Sequence, residues 1–259
     1  MTEVETIRSR SNTLIKELRR LAHDNTGYRK QGAIWLEGDH LINAALARGR
    51  RLQTLVLAES AQGRQPTSWE TVANRTVVVP DALWGEFSVL PSPAGMGALM
   101  ELPAGGPWRP DRATVVLDRV QDAGNVGSIL RSAAAFGVGQ VLAIRATAAL
   151  WSPKVLRAGM GAHFNLDLFE GMQADELSAL QVPLVVTSSH RGQLLHEQAP
   201  PWPCAWVFGH EGQGVDPALA ARSQHAVRII QPAGQESLNV AAAAAICLHA
   251  SAVWAARGP

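Results

Sequence analysis

The stretch that decides the fold is Ala205–His249, AWVFGHEGQGVDPALAARSQHAVRIIQPAGQESLNVAAAAAICLH. Two apolar runs, Ala205–Phe208 and Val227–Ile230, each end in a loop rich in Gly, Gln, Pro and Glu. Each loop feeds a helix start, Asp216-Pro217 in the first case and Ser237-Leu238-Asn239 in the second. Strand, small-residue loop and capped helix is how α/β proteins offer backbone N–H and C=O groups to a ligand. The loops spend polar residues that a core has no use for, so a site is expected here.

Working outward, the alternation continues upstream. Strands are expected at Thr114–Asp118, Val141–Ile144, Leu166–Phe169 and Leu184–Thr187, with helices at Val126–Phe136, Pro153–Gly159, Ala174–Leu180, Pro217–Arg222 and from Asn239 onward. Buried β-branched strands alternating with helices predict a mostly parallel sheet covered on both faces. Leu102–Arg112, LPAGGPWRPDR, is too rich in Pro and Gly for regular structure and reads as a boundary. We therefore expect one domain over 1–104, a linker over 105–112 and a second domain over 113–259.

In the first domain Leu14, Ile15, Leu18 and Leu21 recur at helical spacing behind Ser11-Asn12, and the other face of that helix carries Lys16, Arg19 and Arg20. Strands are expected at Ala33–Leu36, Leu52–Leu57, Thr76–Val79 and Ala98–Leu102, with a helix capped by Asp39 and a helical turn at DALWGEF. Residues 1–51 hold ten Lys/Arg against six acids, a net +4, which leaves −3 for the remainder of a chain whose total is +1. Such a module either faces a polyanion or has an ordinary solvated helix face.

The two cysteines, Cys204 and Cys247, have neither disulfide-framework nor metal-ligand spacing. The polar N-terminal residues lack an apolar signal core, and the Ala-rich run after Asn239 is a poor membrane span, so a cytoplasmic protein is expected.

Three stretches carry chemistry. In VVLDRVQDAGNVGSILRSAAAFGV (Val115–Val138), Asn125 reads as a helix cap, and Arg131 either reaches a phosphate or is a plain surface arginine. In FGHEGQGV (Phe208–Val215), Glu211 sits among Gly209, Gly212 and Gly214, either as a site carboxylate or as a cap for the next helix. In IIQPAGQESLNV (Ile229–Val240), Ser237 and Asn239 flank Leu238 at a helix start, where capping explains both polar residues taken alone. No dinucleotide fingerprint, Walker A, GxSxG or HExxH pattern is present.

Together, N-x-G-x-x-x-R after a strand, then F-G-x-E-G-x-G, then E-S-L-N-V at the last helix resemble the SpoU (TrmH) family of RNA ribose 2′-O-methyltransferases, from about Thr114 to the C-terminus. RAGMGAHFNL (Arg157–Leu166) resembles the family's segment between the first two motifs, and IRSRSNTLIKELRRL with AIWLEGDHLINAAL resembles its rRNA-type substrate-binding domain. The resemblance implies an α/β chain. Its small N-terminal α/β/α unit would be ribosomal-protein-like, and its C-terminal parallel-sheet domain would carry the deep trefoil knot of SPOUT methyltransferases.

The resemblance also implies S-adenosylmethionine cupped by Gly209, Ile229 and Leu238, with Thr187 ending the adjoining strand. Arg131 would act on the ribose, with Asn125, Glu211, Ser237 and Asn239 shaping the site. Lys16, Arg19, Arg20, Arg29 and Lys30 would contact RNA, most naturally ribosomal RNA, and a homodimer burying the last helix would complete the site without a metal. Where the family has proline, this chain has Ala123 and Ile230, a loss of turn stiffness only. The same chemistry on tRNA, a resistance-conferring rRNA methylase and a non-catalytic RNA-binding assembly factor remain alternatives. A nicotinamide-dependent enzyme lacks its phosphate-binding fingerprint.

Overall fold

The structure, a computed structural model, describes residues 4–188, 191–232 and 238–257. It divides into two units, one running up to Ala104 and including Trp151–Phe164, the other comprising Gly105–Leu150 and the residues from Asn165 onward. The first unit contains β1 (Val4–Thr6), α1 (Thr13–His23), α2 (Gly27–Gln31), β2 (Ala33–Glu37), α3 (Asp39–Leu46), β3 (Leu52–Ala58), α4 (Thr67–Val72), β4 (Ala73–Val79), α5 (Asp81–Trp84) and β5 (Met96–Glu101). The chain continues through β6 (Thr114–Asp118), α6 (Ala123–Ala135), β7 (Gln140–Ile144), α7 (Pro153–Gly159), β8 (Asp167–Met172), β9 (Leu184–Thr187), β10 (Gln193–Leu194), β11 (Ala205–Gly209), α8 (Pro217–Arg222), β12 (His225–Arg228) and α9 (Val240–Arg257).

In the first unit five strands form a sheet in the order β1-β4-β3-β5-β2, with β1, β4 and β3 parallel and β5 antiparallel to both its neighbours. Asn12 caps α1 by accepting the Leu14 N–H at 2.8 Å, and Leu14, Ile15, Leu18, Leu21 and Ala22 bury the apolar stripe. Trp35, Trp84 and Phe87 form an aromatic cluster with ring centroids 5.2–5.8 Å apart. Gly97 on β5 makes room for it, because a Cβ there would overlap the Trp35 ring. Asp39 does not cap α3; Gly38 at φ 93° takes that position and Asp39 is its first helical residue.

The expected continuous second domain is interrupted. Ser152 caps α7 by accepting the Val155 N–H at 3.3 Å, but Trp151–Phe164 groups with the first unit. Gly161 presses on α3, where a Cβ would overlap that of Ala44, and Trp151 packs on His163 and Phe164 with centroids 5.2 Å and 6.1 Å away. A capped apolar helix reveals that it must be buried, not which core buries it.

The second unit holds a seven-stranded, wholly parallel sheet in the order β10-β12-β9-β11-β6-β7-β8. One face buries Val116, Leu142, Leu184, Val186, Ala205 and Val207 under Leu219 of α8 and Leu177. On the other face the Trp206 indole donates to Ser251 of α9 at 2.9 Å, and α9 packs along α6. α9 is long and apolar enough to cross a membrane by length and composition, with a mean hydropathy of 1.4, yet here it covers a sheet.

Three local expectations shift. Ala174–Leu180 contains only the short 3-10 turn Glu176–Ala179. β12 lies two residues before the apolar run that predicted it, leaving Ile229 half-buried and Ile230 55% exposed past its end. Asn125 does not cap α6: Asp122 does, accepting the Asn125 N–H at 2.7 Å. The Asn125 side chain is thereby released for other partners.

Candidate active site

In an open parallel sheet, ligands bind outside the carboxyl ends of the strands where the strand order reverses. Here that point lies between β6 and β11, which pair along their length from Thr114↔Ala205 to Asp118↔Gly209. The loop after β6 leads to α6, packed with α9 on the Trp206 face, whereas the loop after β11 leads to α8 on the opposite face. Loops that diverge in this way form the ligand crevice of such sheets.

Glu211 reaches across this crevice. Its carboxylate accepts the Gln121 N–H at 3.2 Å, the Asp122 N–H at 3.0 Å and the Asn125 side-chain amide at 3.0 Å. Burial alone would raise this carboxyl. The hydrogen bonds from the Asn125 side chain and from the backbone of Asp122, Glu211 and Gln121 outweigh that effect and hold it at about 2. Asn239 closes the chain of contacts: its amide donates to Asn125 Oδ1 at 2.9 Å, while its own Oδ1 accepts the Ala241 and Ala242 N–H groups and starts α9. Three residues far apart in sequence thus meet at three strand-to-helix junctions. Glu211 is not the cap of α8, because Asp216 fills that role for the Ala218 N–H at 2.9 Å.

The remaining expected site residues lie at or just past the carboxyl ends of β9, β11 and β12 and before α9. Thr187 ends β9 half-buried, opposite Val227 of β12. Gly209 ends β11, and a Cβ there would overlap the Gly214 and Val215 backbone, so glycine is required by the loop's own return. That return is closed by the Gly214 N–H donating to the His210 carbonyl at 2.8 Å. Ile229 and Leu238 follow β12 and precede α9, and Leu238 is 40% exposed. Ser237 lies outside the described residues.

Arg131 is exposed on α6 and has no hydrogen bond or ion pair among the described residues. It stands six residues beyond Asn125, about 9 Å along the helix and roughly 120° around it. It does not join the Asn125–Glu211–Asn239 cluster of its own chain. His210 turns its Nδ1 inward to accept the Gly212 and Gln213 N–H groups at 3.0 and 3.2 Å, and no cluster of metal-ligating side chains occurs among the described residues.

Sequence reasoning missed a second set of contacts beneath Glu211, made by Asp118, Arg119, Gln213 and Asp216. The signal was an acidic residue ending an apolar strand, in VVLDRV (Val115–Val120), where burial demands a partner.

In the first unit Lys16 and Arg20 are exposed and make no hydrogen bond or ion pair among the described residues. Arg19 is held by Glu86 at 2.7 Å and by the Arg10 carbonyl at 2.9 Å. Arg29 donates to the Tyr28 hydroxyl at 3.1 Å with its guanidinium 5.4 Å from that ring, and Lys30 is exposed beside it.

The chain is similar to known proteins in sequence and fold. The model of the SpoU rRNA Methylase family matches residues 112–249. A tRNA/rRNA methyltransferase of Synechocystis sp., itself uncharacterised, is 31% identical over 100% of this chain and 98% of its own length. The 23S rRNA (guanosine(2553)-2′-O)-methyltransferase RlmP of Bacillus subtilis is 28% identical, covering 94% of this chain and 97% of its own. The crystal structure of an AdoMet-bound rRNA methyltransferase from Sinorhizobium meliloti superposes with a TM-score of 0.82 at 25% identity, over 96% of this chain and 97% of that one. The family model and the full-length relative show that the chain belongs to the SpoU rRNA methylase family.

Proposed function

We propose that this chain transfers a methyl group from S-adenosylmethionine to a ribose 2′-hydroxyl of RNA, with ribosomal RNA as the substrate class. The observation that carries this reading is the convergence of Asn125, Glu211 and Asn239 at the reversal point of a parallel sheet, in a chain of this family.

The residues around the crevice fit the cofactor. Gly209 and the glycines after it keep side chains away from the end of β11, while Ile229 and the exposed Leu238 offer apolar surface. That combination suits an adenine ring with polar edges. When bound, S-adenosylmethionine supplies an electrophilic methyl group on a sulfonium. Thr187, Gly209, Ile229 and Leu238 hold it, and Glu211, Asn125 and Asn239 fix the loops that carry those contacts.

Methyl transfer to a hydroxyl requires the 2′-oxygen to be placed in line and its proton to be removed. A guanidinium does not give up its proton in a protein and so is a poor base, but its planar fork suits a phosphate. Arg131 binds the adjacent phosphate and orients the hydroxyl, whose proton leaves to phosphate or water.

The position of Arg131, away from its own Glu211, supports a homodimer in which each crevice receives Arg131 from the second copy. The outer side of α9 supports the same assembly, since Ala242 and Ile246 are exposed along an Ala-rich face. The strand order supports the deep trefoil knot of the family, because β11 lies between β6 and β9, both laid down earlier in the chain. The first unit supplies RNA affinity through Lys16, Arg20, Arg29 and Lys30, in cytoplasmic RNA. Arg19, held by Glu86, contributes less.

The test is methyl transfer from isotopically labelled S-adenosylmethionine to ribosomal RNA, followed by digestion to nucleosides. Label in a 2′-O-methylnucleoside is expected. Label confined to a base, or none with the cofactor bound, contradicts the reading.

A further inference from the structure

The crevice has a second fastening that the family motifs do not include. Asp118 ends β6 almost fully buried, with 1% of its surface exposed. It accepts the Arg119 Nε at 2.8 Å and Nη2 at 3.1 Å on its two oxygens, and the Asp216 N–H at 2.7 Å. Arg119, thus gripped at two nitrogens, extends its third, Nη1, to Gln213 Oε1 at 3.1 Å in the loop after β11. Asp216 Oδ2 stands 4.0 Å from Nη2.

The backbone at Arg119 is unusual, with φ at +60°, a region that side-chain-bearing residues seldom occupy. It is held there by its own N–H, which donates to Thr147 Oγ1 at 3.1 Å, while that hydroxyl donates to the Leu117 carbonyl at 3.0 Å. Nothing in the β6–α6 turn itself calls for arginine, since glycine fits this backbone better.

We propose that Arg119, aimed by Asp118, is a positioning residue that fastens the Glu211-bearing loop to the end of β6, setting the loop's place in the cofactor crevice. The two loops are then cross-linked in both directions. Glu211 reaches from the second loop to the backbone of the first, and Arg119 reaches from the first to Gln213 and Asp216 of the second. Glu211 fixes the start of the loop, the Asp118 carboxylate holds the Asp216 N–H at its end, and Arg119 ties Gln213 between them, so the three together fix the loop's orientation. The effect on cofactor rests on the methyltransferase reading, whereas the fastening itself does not.

The full-length protein provides the test. Arg119→Gly removes the side chain while suiting the backbone, and leaves the Asp118 carboxylate its Asp216 N–H partner but no cation. Amide hydrogen exchange in the peptide spanning 209–219, without cofactor, should accelerate about tenfold, with α6 and the first unit unchanged. Calorimetry should show S-adenosylmethionine binding weakened about five- to tenfold, RNA affinity within twofold, and partial recovery in Arg119→Lys. Gln213→Ala should act in the same direction more weakly and add little in the double variant, because the two side chains work as one unit.

Unchanged exchange in 209–219, or a lower unfolding midpoint with unaltered exchange and cofactor affinity, overturns the proposal. So does full additivity of Arg119→Gly and Gln213→Ala. Should the wild type bind no S-adenosylmethionine, the methyltransferase reading fails and the exchange data still decide the fastening.

Discussion

The crevice of the second unit and the first helix of the first unit both collect polar side chains, and they use them in opposite ways. In the crevice nearly every such group is bonded to another: Glu211 to Asn125, Asn125 to Asn239, Arg119 to Asp118 and Gln213. On α1, Lys16 and Arg20 stand open to solvent, whereas Arg19 is engaged by Glu86. Mutual bonding fixes a geometry in advance, which is what a reaction needs. Unspent cations give a salt-dependent attraction to phosphates, which is what capture of RNA needs. Arg131 is the exception that connects the two, an open cation on the crevice helix.

The largest effect is therefore expected at Arg131. Arg131→Lys should lower kcat by about 10²- to 10³-fold with S-adenosylmethionine affinity unchanged, as seen by steady-state kinetics and calorimetry, since it keeps charge and loses the fork. Turnover like the wild type would remove any special role for the guanidinium. If the arginine acts on the second copy's crevice, an equal mixture of Arg131→Ala and Glu211→Gln proteins should regain about a quarter of wild-type activity through mixed dimers. No recovery after exchange of subunits would place both groups in one chain.

Glu211→Gln should cost about ten- to a hundredfold in kcat/KM, because a neutral amide accepts the same backbone donors less strongly. Its pH signature has a definite sign. The folded carboxyl, at about 2, lies below its ordinary value, so its stabilising contribution is present above that value and is lost as pH falls toward 2. The difference in Tm between wild type and Glu211→Gln should be flat from neutrality to about pH 5 and shrink below it. A difference that grew in acid would contradict the hydrogen-bonded carboxylate.

Smaller effects belong to the first unit. Lys16→Ala and Arg20→Ala should each weaken RNA binding several-fold and reduce the salt slope by about 1, leaving cofactor affinity intact. Arg19→Ala should do less. Point changes are the sound test, because deleting residues 1–104 would strip Val155 and Leu156 of the core that buries them. Asn12→Ala should lower stability by about 1 kcal/mol through loss of the α1 cap, with activity unchanged below the transition.

How much of this was legible follows from local chemistry. Pro153 behind Ser152 and Pro217 behind Asp216 marked α7 and α8 to the residue, since proline at the first helical position and an oxygen cap leave little freedom. The alternation of 114–118 with helices disclosed the parallel sheet, and the three motifs announced a site. Partnerships made through space were not legible. Asn125 reads as a cap until Asp122 takes that place and leaves it for Glu211. The Arg119 fastening depends on Asp118 and Gln213, 95 positions apart along the chain, meeting at neighbouring strand ends. β12 was misplaced because it lies beside the two-residue β10 near the sheet's edge, where exposed His225 is tolerated and apolar Ile230 is not required.

The most direct test of the central claim is amide hydrogen exchange of the full-length protein with and without saturating S-adenosylmethionine. Protection is predicted at the ends of β9, β11 and β12 and at the start of α9, in peptides containing Thr187, Gly209–Gly214, Ile229 and Leu238. Protection confined to the first unit, or to the opposite end of the parallel sheet, would contradict it.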